Sequence, residues 1–189
     1  MDIGFIFSGF LVGLLVGLTG VGGGSLMTPI LVLFFHIKPA LAVGTDLLYA
    51  SITKSVGIFA HGKLGNIDWK IVKRLMLGSI PASIFTTYYL RQIDVASTGA
   101  VDIIKFYLGI ALLLTSIAVI FRPFLIEKSK IVLFKSDNSI ALVTIILGFI
   151  LGGLVTLTSV GAGALGVTAL LLIYPKIGIT KIVGTDIAH

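Results

Sequence analysis

The sequence predicts an all-α polytopic membrane protein built from a duplicated helical repeat, with glycine-broken transmembrane segments and an incomplete second copy. Three observations lead there. Of 189 residues, 57% are hydrophobic and only 12% charged, with a mean hydropathy of +1.14. Soluble domains carry about 25% charged residues, so too few polar side chains are present to cover a globule. Residues 3–35 and 139–175 contain no Asp, Glu, Lys, Arg or His at all. Those two runs are also copies of each other. The soluble-enzyme and disordered classes are thereby excluded. The absence of cysteine removes disulfide scaffolds, thiolate zinc sites and cysteine nucleophiles as well.

The first run, 3–35, is no signal peptide: Asp2 stands where a basic n-region would be, and the run is too long for an h-region. Its 33 residues as one helix would reach about 50 Å, against a hydrocarbon core of about 30 Å. Two full spans with a turn need about 40 residues or more, so the run reads as a span, a glycine break and a partial span. The break falls at GVGGGS, 20–25, and its counterpart in 139–175 is SVGAGALG, 159–166. Pro29 suits the first turn of the restarted helix, where a missing N–H does little harm. Irregular backbone at membrane depth is tolerated only where protein or a wet cavity satisfies its polar groups.

Further helices are expected at 41–60, 71–90 and 103–121. Lys63, Lys70, Lys73 and Arg74 fall in 61–74, and Arg122, Lys128, Lys130 and Lys135 in 122–138, whereas 91–102 has one Arg and two Asp. The positive-inside rule places both basic stretches in the cytoplasm and 91–102 outside. Trp69, Tyr88, Tyr89 and Tyr107 lie near span ends, as an interfacial belt or ordinary core packing would have them. The side of Met1 depends on the number of crossings in the first repeat. An odd number gives inverted halves and an outside N-terminus, which analogy with other carriers favours.

The duplication is direct. GFLVGLLVGLTGVGGGSL from Gly9 aligns with GFILGGLVTLTSVGAGAL from Gly148, eleven of eighteen positions being identical. Val43-Gly44-Thr45-Asp46 recurs as Val183-Gly184-Thr185-Asp186. The first repeat is assigned to 1–138 and the start of the second to 139–189. Doubling the first copy predicts a protein of about 280 residues, so residues 1–189 alone are not expected to transport.

The pattern G-x-G-G-G-S-L-x-T-P-x-L at 20–31, then AVGTDLLYASITKSVG at 42–57, HGKLGNIDWKIVKR at 61–74 and LGSIPAS at 77–83, resembles the TauE/SafE family of sulfite-exporter-like permeases. The resemblance implies a multi-pass carrier of the cell (inner) membrane with two homologous halves, moving sulfite, sulfonates or related organic anions. It implies no cofactor. Its partners would be the bilayer and a small-anion substrate, with no nucleic acid; assembly as a homo-oligomer stays open. The second repeat departs from the pattern, with Ala162, Ala164 and Thr168 where the first has Gly23, Ser25 and Pro29.

Candidate substrate-binding residues follow from the breaks. A half-helix start leaves free N–H groups that attract anions, and small residues let the backbone come close. Discontinuous helices at matching repeat positions point to a midplane transport site. The candidates are Thr19, Gly22, Gly23, Gly24 and Ser25, with Thr158, Ser159, Gly161 and Gly163 as counterparts, and the Thr45-Asp46 and Thr185-Asp186 pairs. Close helix packing by small residues is the competing explanation for the glycines. A nucleotide loop is a poor fit, because no Gly-Lys-Ser/Thr follows. An ionisable residue within a span is a functional hypothesis by default. Lys54 lies about 80° round the helix from Asp46, so Asp46 and Lys54 are candidates for coupling or pairing. Alternatively, Thr45 or Asp46 caps its helix and Lys54 snorkels. His36, His61 and His189 lack metal-ligand spacing, and no Ser/His/Asp set supports an enzyme. The leading function is a secondary carrier for small anions. The alternatives are a proton or cation pathway through Asp46, Lys54 and Asp186, and a non-transporting membrane subunit.

Overall fold

The computed structural model describes residues 3–19, 25–92, 98–128, 136–161 and 163–189, without the side chains of 5, 16–19, 98, 100 and 125–128. Eight helices make up the described chain: α1 (Ile3–Thr19), α2 (Met27–Leu33), α3 (Pro39–Lys63), α4 (Trp69–Gln92), α5 (Thr98–Lys128), α6 (Asp137–Thr158), α7 (Ala164–Ile173) and α8 (Ile179–Ala188).

Local chemistry explains several boundaries. Pro39 opens α3 with its fixed φ, and Lys38 before it is extended, as a residue preceding proline prefers. The Asp68 carboxylate accepts the N–H groups of Lys70 at 3.1 Å and Ile71 at 3.3 Å, so Asp68 caps α4. Helix α6 stops where Ser159 turns left-handed, at φ 61°. Gly161 and Gly163 follow at φ 122° and 98°, a region open to glycine at little cost. Pro29 is the third residue of α2, inside its first turn.

The expected helices are present but longer than their apolar cores. Lys63 closes α3, Lys70, Lys73 and Arg74 ride on the first turns of α4, and Arg122 and Lys128 belong to α5. The basic segment 61–74 is therefore mostly helix ends around a short connection, and α5 claims the start of 122–138. Lysine and arginine are good helix formers, so a helix need not stop where its apolar run does.

Helices α4 and α6 pack side by side in the same direction. Lys70 and Arg74 bind Asp137 at one end, and farther along Ser83 donates to the Gly152 carbonyl at 3.3 Å. Glycines permit the approach: a Cβ at Gly78 would strike the Ile145 carbonyl, and one at Gly148 the Leu75 carbonyl. Against this pair Ile71 and Leu75 form a core with Val167, Leu170 and Leu171 of α7 and Ile182 of α8. Tyr174, just past α7, accepts a hydrogen bond from Arg74 at 3.3 Å and shares one with Thr144 at 2.7 Å. Helix α7 thus returns toward the end where α4 and α6 begin.

Helices α3 and α8 run antiparallel. Lys54 meets Asp186, and His61 lies beside Gly184. At Gly57 the helices are so close that a Cβ would come 2.8 Å from Ile187 Cγ2. Outward, α5 and α6 are strongly apolar: Leu113, Ile117, Ile120, Leu142, Phe149 and Ile150 are all exposed. Such a continuous apolar exterior belongs in lipid. Among the described residues two stretches, Val101–Phe124 and Asp137–Thr158, are both long and apolar enough to cross a bilayer. Helices α3 and α4 match them in length, at 25 and 24 residues, but carry more polar sequence. Segments α1 and α7 are shorter, at 17 and 10 residues.

Candidate functional site

The two aspartates of the repeated motif are both buried, Asp46 at 0% and Asp186 at 2% exposure, and their surroundings differ. Asp46 is the eighth residue of α3, whose cap is Lys38, so neither it nor Thr45 starts the helix. Its Oδ2 accepts a hydrogen bond from the Thr28 hydroxyl of α2 at 2.8 Å. The Ser159 hydroxyl, at the end of α6, lies against the same carboxylate. Among the described residues, Asp46 Oδ1 has no hydrogen-bond partner.

Asp186 sits instead at the start of α7. Its carboxylate accepts the Gly163 N–H. Its Oδ1 occupies the space where a side chain at Gly166 would begin, so a Cβ there would collide with it. Lys54 donates from Nζ to the Asp186 backbone carbonyl at 3.3 Å and, with Arg122, is a positive charge acting on the carboxylate. Lys54 therefore pairs across α3 and α8. The buried Asp186 carboxyl thus meets the start of α7, and the Lys54 ammonium lies on the adjoining backbone carbonyl.

The remaining candidates divide. Thr158 is buried and spends its hydroxyl inside the break, donating to the Leu154 carbonyl at 2.7 Å and accepting the Val160 N–H at 3.1 Å. Thr185 is buried too, and its oxygen accepts the Asp68 N–H at 2.9 Å, tying α8 to the connection before α4. Thr45 is exposed, about 100° round α3 from the buried Asp46. Ser25 precedes α2 and is half-buried. Gly22, Gly23 and Gly24 lie outside the described residues, as does the side chain of Thr19. Sequence reasoning missed Thr28 and Gly166. Thr28 has a signal, standing between the glycine cluster and Pro29, but only the approach of α2 to α3 shows what its hydroxyl does.

A described chain made of helices, with long apolar faces turned outward and carboxylates buried at helix breaks, defines a helical membrane protein. Comparison with known proteins narrows the class. The profile of the family described as sulfite exporter TauE/SafE matches residues 5–189. The chain belongs to that family, whose members are membrane transporters. It is 42% identical over 192 residues to the probable membrane transporter protein YjnA of Bacillus subtilis (strain 168), covering 100% of this chain and 74% of that protein. A probable membrane transporter protein of Methanocaldococcus jannaschii, MJ0441, is 39% identical over 88 residues, 44% of this chain and 33% of that one. The probable membrane transporter protein YunE of Bacillus subtilis is 37% identical over 70 residues, 37% of this chain and 26% of its own length. No solved structure matches.

Proposed function

We propose that the protein is a multi-pass secondary carrier of the cell (inner) membrane for small anions, of the class of sulfite, sulfonates and related organic anions. One observation carries the reading. The N-terminus of α7 already takes an acidic group, the Asp186 carboxyl, through the Gly163 N–H, with the Lys54 ammonium on the Asp186 backbone carbonyl beside it. A helix start with free N–H groups is an anion cradle, and here it lies inside the molecule. The family's description as a sulfite exporter supports the substrate class. A cavity of about 390 Å³ at the starts of α3 and α5, lined by His36, Lys38 and Lys105 among others, supports an anion path from that end.

The carrier is a duplicated one in this reading. Helices α6, α7 and α8 follow the order of α1, α2 and α3, with the matching sequence blocks at the same places. The equivalents α3 and α8 run in opposite directions, which supports inverted halves and an outside N-terminus. Substrate would bind between the breaks, at Thr19, Gly22, Gly23, Gly24 and Ser25 on one side and Ser159, Gly161 and Gly163 on the other. Asp186 then acts as an internal stand-in that a substrate anion displaces.

The test is uptake by proteoliposomes of the full-length protein, presented with labelled sulfite, a sulfonate, a small carboxylate and a cation. Saturable uptake of at least one anion, with unlabelled anions competing, is expected. Uptake of the cation alone, or of nothing, would overturn the carrier reading.

A further inference from the structure

We propose that the Asp46 carboxylate, the Thr28 and Ser159 hydroxyls and the C-terminal end of α6 form a binding site for a sodium ion. The inference rests on the carrier reading only in giving that ion the role of coupling ion. The site itself stands on geometry.

Asp46 is fully buried, and its Oδ1 has no hydrogen-bond partner among the described residues. The ion pairs present among the described residues all involve Asp137, at the start of α6. A buried carboxylate left unpaired is costly, so such groups pair, bind a cation or lose their charge. Its repeat counterpart makes the contrast. Asp186 has Lys54 and the Gly163 N–H; Asp46 has two hydroxyls, which leave its charge in place.

The chemistry of the donors selects the ion. Carboxylate and hydroxyl oxygens are hard ligands suited to alkali and alkaline-earth cations. One carboxylate balances one positive charge, and a divalent ion would leave a net charge buried. The Thr28 oxygen keeps lone pairs for a cation while its proton goes to Asp46 Oδ2. Thr28 is 0% and Ser159 6% exposed, so the seat is closed to solvent, and sodium, smaller than potassium, asks less room of it. Ser159 is also the residue at which α6 ends. The last carbonyls of a helix lack intrahelical donors and carry its negative dipole end, which favours a cation. In carriers with broken helices, cations take such C-terminal ends while anions take the N-terminal ones. Here the two ends of a single break, Ser159 and Gly163, face Asp46 and Asp186 respectively.

The site also spans the halves, because Thr28 and Asp46 come from α2 and α3 and Ser159 from the second break. Sodium bound there would draw the two halves together.

Thermal unfolding of the purified full-length protein in detergent, with sodium, potassium or choline chloride exchanged at constant ionic strength, reads binding without transport. A saturable, sodium-specific rise in melting temperature of about 4 °C or more is expected. Asp46→Asn should abolish it, and Thr28→Val and Ser159→Ala should weaken it by about tenfold in sodium concentration, which keeps the test open if Asp46→Asn fails to fold. An equal response to all three salts, or a sodium response kept in folded Asp46→Asn, would overturn the site. In proteoliposomes, anion uptake indifferent to a sodium gradient overturns the coupling role and leaves the carrier reading standing. Sodium binding without any anion uptake supports the site and sinks the carrier reading instead.

Discussion

Gly166 has no room for a side chain because the Asp186 carboxylate already fills that room. Gly166→Ala should therefore push Asp186 off the Gly163 N–H and cost about 1–3 kcal/mol, as overpacking does. Thermal unfolding in detergent checks this, and an unchanged midpoint would show that Asp186 seats elsewhere. Thr28→Val removes the hydroxyl that donates to Asp46 and leaves a buried acceptor unsatisfied, at a cost of about 1–3 kcal/mol. Thr28→Ser should recover most of that loss, which a merely steric role for the threonine would not allow. Asp46, Lys54 and Asp186 were legible in the sequence because a charge within an apolar run stands out against its neighbours. Thr28 and Gly166 were not, since their roles exist only once α2 meets α3 and α7 meets α8. Thr45, adjacent to Asp46, turns outward: one helical step is about 100°, and the repeated motif does not reveal which of its residues faces in.

Among the helices, the α4–α6 pair is set by contact of backbone with backbone. Gly78→Leu or Gly148→Leu must separate the two helices, and both should reduce folded yield and lower the midpoint by several degrees. Gly44→Ala is the control, because nothing lies within 4 Å of a Cβ there. If Gly78→Leu behaves like that control, the packing described for α4 and α6 is wrong. Matching glycines mean different things in the two copies: Gly148 and Gly152 press on α4, while a Cβ at Gly9 would meet nothing within 4 Å. Sequence shows the duplication of these positions but not their partners. Helix existence was readable from uncharged runs, and helix ends were not, because Lys63, Lys70 and Arg122 continue helices that hydropathy alone would stop.

On the scale of the whole molecule, the starts of α4 and α6 share one end, and Lys63, Lys70, Lys73 and Arg74 gather there. The positive-inside rule assigns that end to the cytoplasm. Single cysteines in this cysteine-free chain test it: Leu64→Cys should be labelled from inside and Gly99→Cys from outside by an impermeant reagent. The reverse pattern would invert the orientation. The central claim is that anions cross at the helix breaks, and the measurement closest to it is anion uptake by proteoliposomes holding Gly22→Leu or Gly163→Leu, with assembly followed in parallel by size exclusion. Correctly assembled protein whose saturable uptake falls at least tenfold is expected. Full uptake by both assembled variants would show that the glycines serve packing alone and that the anion crosses elsewhere.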